Sequence, residues 1–129
     1  QNKSLSVLKL WGRALARIKL DEEHNIYWSL LAKNDFDKSE SSEKEVDGVM
    51  REFTSHTPKA SFIVLLYEKA SKDIVIRCRA NSSLNLIDTL SAIAPTGAPD
   101  NITGSIKGHD ILAAEGMVLE QLKTALEKN

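Results

Sequence analysis

The sequence has a single cysteine and no long apolar run, and each of these shortages excludes a class of protein. Cys78 has no second cysteine with which to form an internal disulfide or a cysteine-based zinc site. No apolar run approaches the roughly 18 residues that a transmembrane helix needs, and the N-terminus lacks the basic and then apolar layout of a signal peptide. We therefore expect a soluble, cytoplasmic protein without a membrane partner, in which Cys78 is a buried thiol.

Net charge is also nearly absent from the chain. Seventeen basic side chains oppose 18 acidic ones, which gives a net charge of -1. The molecule as a whole therefore has no strong field that would attract nucleic acid or an anionic membrane, and any anion site must be local. The 129 residues, 42% of them apolar, suit one compact domain. Because the chain begins with Gln1 and not with Met, we expect that it was cut from a longer protein.

Recognisable catalytic and metal-binding motifs are missing as well. The histidines lie far apart, at His24, His56 and His109, and none belongs to a His-Glu-x-x-His pair on a helix. The serine-rich segment 39–42 lacks the Gly-x-Ser-x-Gly surroundings of a nucleophilic serine. We predict that Asp35 and Asp37 are solvated turn residues. We therefore assign no catalytic residue and no metal ligand, although residues distant in sequence can still assemble a metal site.

Apolar periodicity and turn residues predict a single α+β domain, with a mixed β-sheet and helices packed against it. The expected elements are a helix over 4–20, a strand over 26–31, a helix from 42, strands over 60–67 and 73–80, a short helix from 85, a loop over 95–108 and a helix over 110–128. Ser42 with Glu45 fits a capping box, and Asn85 fits an N-cap. The segment 116–119 also fits a strand, so the last element is either a helix or a strand followed by a helix.

The first predicted helix is amphipathic. Its expected buried stripe recurs at helical spacing and consists of Leu8, Trp11, Leu15 and Ile18. A basic row on another side of the helix consists of Lys9, Arg13 and Arg17. This row fits a solvated helix face and, alternatively, a docking surface for a preceding domain.

One group of residues has the composition of a phosphate-binding site. Side chains alternate along the strand 73–80, so Arg77 and Arg79 point to the same face of the sheet. A glycine-containing loop then ends in Lys107, Gly108 and His109 before the last helix. Glycine lets a backbone approach a ligand, amides at a helix start attract anions, and an arginine fork binds phosphate through two hydrogen bonds. The pattern predicts a small phosphate site; the alternative is two solvated arginines beside an ordinary loop glycine.

Further segments carry a family resemblance that extends over nearly the whole chain. They are 10–18, which looks like a helix joining two domains, the strand 26–29, the helix-leading segment 45–50 and the hairpin strands 62–67 and 74–79. In this order they resemble the DHHA1 domain, the C-terminal domain of the DHH phosphoesterases, a group with RecJ-like exonucleases, oligoribonucleases and exopolyphosphatase-related proteins. In that group this α+β domain closes over the active-site cleft and grips the phosphate or nucleotide of the substrate. The resemblance implies that residues 1–129 are one such domain. It also implies that residues 1–20 are the helix that follows the catalytic domain, which is absent from this sequence.

Two short motifs connect the resemblance to particular residues. Arg79 stands where the family has the arginine of a Ser-Leu-Arg-Ser pattern, with Ala80 in place of the final serine. The segment 106–109 resembles a Gly-Gly-Gly-His stretch, of which the last glycine and the histidine are present. An alanine pair at 113–114 and then Gly116 follow, as an alanine pair and a glycine do in the family. Here the alanine pair lies one residue later than in the family, and Glu115 is inserted before Gly116.

The resemblance implies both a binding role and a lack of catalysis. The implied phosphate site consists of Arg79 and His109 as the main contacts, Gly108 as the point of approach, and Lys107 and Arg77 as supporting charges. The Asp-His-His motif of the family and the carboxylates that hold its manganese belong to the preceding domain, and no Asp-His-His occurs in this chain. The parent protein is then a metal-dependent phosphodiesterase or phosphatase. The expected partners are its own catalytic domain and a short oligonucleotide, nucleotide or polyphosphate.

Two other functions stay open. A protein-interaction or regulatory module that kept this fold and lost the ligand site would bind a partner, or a second copy in a homodimer, through the Trp11 helix. A free-standing small hydrolase has the least support, because the sequence shows no nucleophile paired with a base and no cluster of metal ligands.

Overall fold

Six strands form one mixed sheet with helices on both faces within residues 4–128, the part of the chain that the computed structural model describes. This confirms the predicted α+β fold. Residues 1–3, which include Gln1, and residue 129 lie outside the described part. The strands are β1 (Lys19–Asp21), β2 (Ile26–Leu31), β3 (Phe62–Ala70), β4 (Asp73–Ala80), β5 (Thr96–Ala98) and β6 (Asn101–Lys107). The α-helices are α1 (Leu5–Leu15), α2 (Lys33–Lys38), α3 (Val46–His56), α4 (Leu86–Thr89) and α5 (Ile111–Glu127).

The sheet separates two apolar cores. Its strand order is β1-β2-β3-β4-β6-β5, and neighbouring strands are antiparallel except for the parallel pair β2 and β3. One face, covered by α4 and α5, includes Ile76 and Val118 in its core. The other face, covered by α1, α2 and α3, includes Trp11 and Phe53. The first six residues of β3 are all buried, because a central strand contributes side chains to both cores. No helix among the described residues has both the length and the apolar character that a membrane span requires.

The first helix buries a different stripe from the predicted one. Leu10, Trp11 and Ala14 are buried, whereas Leu8 and Leu15 are 43% and 50% exposed. The helix rests on α3 and on the sheet at the same time, and this double contact selects the face that carries Leu10 and Ala14. Of the predicted stripe, Trp11 is buried and Ile18 packs against the core, so the prediction is confirmed for these two residues and wrong for Leu8 and Leu15.

The residues predicted to end the first helix form β1 instead. Ile18 packs against the core just before β1, and Leu20 lies opposite Tyr27 in the ladder with β2. The tight turn between the two strands includes Asn25 in the left-handed region, with φ of 56°. A three-residue strand is too short to show a period in the sequence, so the helix was predicted five residues too long.

The predicted loop 95–108 contains two strands, and the loop prediction was wrong. β6 pairs with β4 over its full length, and Ile102 and Ile106 point into the core. Between them Gly104 lies against Ile93, because a Cβ at position 104 would be 2.5 Å from the Cγ1 atom of that side chain. A strand with one buried face usually has an apolar residue at every second position. Gly104 occupies one of these positions in β6, so the sequence does not show the pattern.

The last helix confirms one of the two predicted alternatives, and one further helix was not predicted. α5 is continuous over 17 residues, with Val118 and Leu119 buried against the sheet, so the alternative strand at 116–119 is wrong. α2 was not predicted, because Phe36 is the one apolar side chain among its six residues.

Candidate functional site

The residues predicted to bind phosphate lie at two ends of the sheet. In the ladder between β4 and β6, Arg79 is opposite Asn101, whereas Lys107 is opposite Asp73. Because each strand residue advances about 3.3 Å, the six steps from Asp73 to Arg79 place these two ends about 20 Å apart. The structure therefore does not bring Lys107 and Arg79 together around one phosphate.

Gly108 and His109 lie at the end far from Arg79, just after β6. The amide of Gly108 donates to the Lys72 carbonyl oxygen at 2.8 Å, and its φ of +85° favours glycine. His109 is exposed. The side chain of Asp110 caps α5 by accepting from the amide of Ala113 at 2.8 Å, so a carboxylate already occupies the helix start that was expected to attract an anion.

A basic groove opens at the other end of β4, between α3 and the ends of β4 and β6. We call it the arginine groove; it has a volume of about 280 Å³ and is lined by Asp47, Met50, Arg51, Arg77, Arg79 and Asn101. A second groove of about 350 Å³ adjoins it, shares Arg79, and extends along the end of α3 to Asn81 and Asp100. The two arginines predicted to share a face do so, and they face α3.

The charges of the arginine groove are unevenly balanced. Arg77 is mostly buried, and its Nη2 atom lies 2.9 Å from Oδ1 of Asp47; its Nε is buried without a hydrogen-bond partner. Arg51 and Arg79 are exposed, and within residues 4–128 neither side chain has a hydrogen bond or an ion pair. The arginine groove therefore holds three guanidinium groups and one carboxylate, which leaves two positive charges open to solvent. This excess of positive charge makes the arginine groove the candidate for a local anion site.

The turn between β5 and β6 is held beside Arg79 by backbone hydrogen bonds. The Asp100 carbonyl accepts from the Ala80 amide at 2.9 Å, and the Pro99 carbonyl accepts from the Leu86 amide at 2.8 Å. Gly97 has φ of +119°, where a side chain would be strained. The glycine-containing segment next to Arg79 is therefore this hairpin, and not the segment around Gly108.

Sequence reasoning missed four residues of the groove, among them the two exposed hydrogen-bond donors Arg51 and Asn101. Arg51 comes from α3, and Asn101 from a strand that was predicted as loop. Neither has a local pattern that indicates binding, since an arginine on an exposed helix face is common. Only the pairing of β6 with β4 and the packing of α3 bring them to Arg79.

Lys107 shares a sheet face with Arg79 in spite of the distance between them. Residues that lie opposite each other in an antiparallel ladder point to the same face, so Asn101, Thr103, Ser105 and Lys107 continue the face of the arginines along β6. Asn101, Thr103 and Lys107 are exposed and Ser105 is half-buried. We call these four side chains the polar strip.

The burial of Asp35 shows that two further predictions were wrong, one about Asp35 itself and one about the basic row of the first helix. Asp35 is 1% exposed and is not a solvated turn residue, whereas its neighbour Asp37 is exposed as predicted. Oδ1 of Asp35 accepts from Nε of Arg13 at 2.6 Å, and Arg17 donates to both carboxylate oxygens at 2.5 and 2.9 Å. The basic row of α1 therefore faces α2 and is not simply solvated.

The hydrogen bonds to Asp35 decide its ionisation. Burial alone would raise its pKa, but hydrogen bonds from Arg17, Arg13 and the amide of Ala32 outweigh burial and lower the pKa to about 2. The carboxylate is therefore charged at neutral pH, and it is paired with both Arg13 and Arg17. Cys78 is fully buried as predicted, and burial raises the pKa of its thiol.

Comparisons with known proteins give structural matches only. No family model matches the chain, and no curated protein does. An exopolyphosphatase-related protein from Bacteroides fragilis is 19% identical, with a TM-score of 0.75, over 98% of this chain and 36% of that protein. The pGpG-specific phosphodiesterase PggH from Vibrio cholerae is 12% identical, with a TM-score of 0.62, over 92% of this chain and 39% of that protein. This chain has the fold of one region of each. It spans well under half the length of either protein.

Proposed function

We propose that this chain is an accessory domain that binds phosphate groups of a substrate in a DHH-type phosphoesterase, as a DHHA1 domain does. The observation that carries the proposal is the arginine groove, where Arg51 and Arg79 present unpaired guanidinium groups beside the fixed guanidinium of Arg77. The shared fold with a region of two larger proteins, one exopolyphosphatase-related and one a phosphodiesterase, supports it. The activity itself would belong to another domain.

The groove suits binding better than bond cleavage. A guanidinium group donates two parallel hydrogen bonds to phosphate oxygens, and the amide of a side chain such as Asn101 adds a neutral donor. Asp47 fixes Arg77 in place, so this guanidinium loses little conformational freedom when a ligand binds. In this proposal the family's manganese and the water that it activates lie in the catalytic domain, and no residue of this chain is assigned to them.

Ligand length separates the possible roles of the predicted residues. A ligand with one phosphate contacts the arginine groove or the region of Lys107 and His109, but not both, because about 20 Å separate them. An oligonucleotide or polyphosphate longer than that distance can follow the polar strip from Asn101 to Lys107. We therefore propose Arg79 and Arg51 as the primary contacts, and Lys107, Gly108 and His109 as contacts of longer ligands.

The test is anisotropy of a fluorescent single-stranded oligonucleotide titrated with the chain at low salt, alongside a mononucleotide competitor. Arg79→Ala and Arg51→Ala should each weaken binding roughly tenfold, because a charge-assisted hydrogen bond contributes about 1.5 kcal/mol. Each variant should also release about one counterion fewer on binding. The slope of log affinity against log salt concentration should therefore become less steep by about one. Lys107→Ala and His109→Ala should weaken binding of long ligands alone.

The matched control is Lys38→Ala, which removes one exposed positive charge from α2, a helix that contributes no residue to the lining of either groove. It should reduce affinity only slightly. Equal affinities of wild type, Arg79→Ala, Arg51→Ala and the Lys38→Ala control would refute the arginine groove as the site. Metal-dependent turnover of the oligonucleotide by this chain alone would refute the accessory role.

A second candidate function is a protein-interaction module, and one observation favours it. The contact was expected through the Trp11 helix. Trp11 itself is buried as predicted, but Leu5, Leu8 and Leu15 are 66%, 43% and 50% exposed on the outer side of this helix. This apolar row would suit a second copy or the catalytic domain. If it binds a second copy, light scattering should show a dimer that Leu8→Asp converts to a monomer; a monomeric wild type at high concentration would argue against this.

A further inference from the structure

A histidine and two glutamates meet where the turn between β1 and β2 touches the end of α5. The Nε2 atom of His24 lies 2.9 Å from Oε2 of Glu127 and 3.7 Å from Oε2 of Glu23. One ligand atom from each of the three residues falls within 4.8 Å of the other two. The imidazole is nine-tenths buried, with 10% of its side chain exposed, whereas the two carboxylates reach it from solvent, at 81% and 61% exposure. This cluster is independent of the arginine groove.

A fourth residue fixes the orientation of the imidazole from behind. Nδ1 of His24 lies 3.2 Å from both carboxylate oxygens of Asp21, which also accepts from the His24 amide at 3.0 Å and pairs with Lys123 at 3.1 Å. Such a carboxylate accepts the Nδ1 proton and leaves Nε2 as the nitrogen that can bind a metal. The arrangement is that of a metal-binding histidine with its supporting carboxylate.

The distances agree with a small tetrahedral ion. Zinc binds imidazole nitrogen and carboxylate oxygen at 2.0–2.2 Å, which places neighbouring ligand atoms of a tetrahedral site about 3.3–3.5 Å apart. The measured separations of 2.9 and 3.7 Å lie on either side of that value. An imidazole ligand disfavours magnesium and calcium, which prefer sites made entirely of oxygen ligands.

We propose that Glu23, His24 and Glu127 form a binding site for Zn²⁺, with Asp21 as the residue that orients His24 and with water completing the coordination. The ion links the turn between β1 and β2 to the C-terminal end of α5, two parts of the chain about 100 residues apart in sequence. Its positive charge would lie among three carboxylates, those of Glu23, Glu127 and Asp21, of which Asp21 is also paired with Lys123.

The test is calorimetric titration of the chelator-treated chain with ZnCl₂ at neutral pH, using protein without a histidine tag. We expect one ion per chain and an increase in melting temperature with zinc concentration. Glu127→Gln and His24→Gln should each weaken binding at least roughly tenfold, and Asp21→Asn should weaken it by about 10- to 100-fold through loss of the orienting hydrogen bond. Replacing zinc by Co²⁺ should give the visible absorption bands of a four-coordinate site, which Glu127→Gln abolishes.

The controls separate this site from nonspecific binding. Glu22→Gln removes an exposed carboxylate from the same turn, and His109→Gln removes an exposed imidazole elsewhere; both should bind zinc as wild type does. Because Glu23 and Glu127 are exposed, their glutamine variants test the site even if His24→Gln unfolds the chain. Absence of zinc binding by wild type, equal loss in Glu22→Gln and Glu127→Gln, or loss in His109→Gln would each overturn the proposal. None of these results depends on whether the arginine groove binds phosphate.

Discussion

Replacing Asp35 by asparagine should cost a large part of the stability of this domain. The carboxylate is 1% exposed and accepts hydrogen bonds from Arg13, from both terminal nitrogens of Arg17 and from the amide of Ala32, at 2.5–2.9 Å. An asparagine of the same shape keeps one acceptor oxygen, and it turns an amide donor toward the guanidinium donors. The variant therefore loses the charge and one side of the hydrogen-bond network together.

The size of the effect follows from the pKa of Asp35. The difference between its ordinary value of 3.8 and the value of about 2 in the fold corresponds to roughly 2–3 kcal/mol of stabilisation of the charged form. Because Arg13 and Arg17 are 33% and 45% exposed, water can solvate them in the variant, so the loss should stay near this figure. Urea unfolding followed by tryptophan fluorescence measures it, with Asp37→Asn, an exposed neighbour on α2, as the matched control.

The pH dependence of stability gives an independent check on Asp35. Its pKa in the fold is below the unfolded value, so its stabilisation is fully present above about pH 4 and is lost as the pH falls toward 2. Wild type and Asp35→Asn should therefore differ most at neutral pH and converge in acid. Equal stabilities of Asp35→Asn and Asp37→Asn at pH 7, or a difference that persists unchanged to pH 2, would refute the reasoning.

Three further predictions concern packing and reactivity. Gly104→Ala should destabilise the fold by about 1–3 kcal/mol, because the new Cβ would lie 2.5 Å from Cγ1 of Ile93 and 2.8 Å from its carbonyl oxygen; an unchanged urea midpoint would contradict this. Gly116→Ala should stabilise it by about 0.5–1 kcal/mol, because this position in α5 has no atom within 4 Å of an added Cβ; a lower midpoint would show a missed contact. Cys78 should react with a thiol reagent such as Ellman's reagent only after unfolding, because burial raises its pKa and blocks access; rapid reaction of the native protein would contradict this burial.

Local patterns in the sequence predicted the central part of the fold. β2, β3 and β4 have long apolar or alternating runs, and their ends lie within three residues of where they were expected. The predicted caps are also present: the Ser42 amide donates to Oε1 of Glu45 at 2.8 Å, and Oδ1 of Asn85 accepts from the Ile87 amide at 2.9 Å. The capping box of Ser42, however, precedes a 3-10 turn over Glu43–Glu45, and the α-helix begins only at Val46. These features depend on residues close together in the chain, so a sequence pattern suffices to find them.

The features that the sequence did not predict depend on contacts between distant segments. The burial of Asp35 requires arginines from α1, 18 and 22 residues away, and a carboxylate beside polar neighbours shows nothing of this locally. The shared face of Arg77 and Arg79 followed from strand alternation, but their neighbours did not. The register of the ladder between β4 and β6 decides which residue of β6 lies beside Arg79. In this register Asn101 lies opposite Arg79, and Lys107 does not.

The topology of the sheet leaves the polar strip of β6 exposed beside the arginine groove. The helices on the face of the arginines, α1, α2 and α3, contact β2 and β3, whereas α4 and α5 lie on the opposite face of the sheet. A strand face that packs against protein is expected to be apolar, yet the polar strip carries Asn101, Thr103, Ser105 and Lys107. Its composition suits water or a polar ligand, and the arginine groove lies where this open strip meets the wall formed by α3. A phosphate chain that binds in the groove could extend along β6 toward Lys107 or, past Arg79, through the adjoining groove toward Asn81 and Asp100.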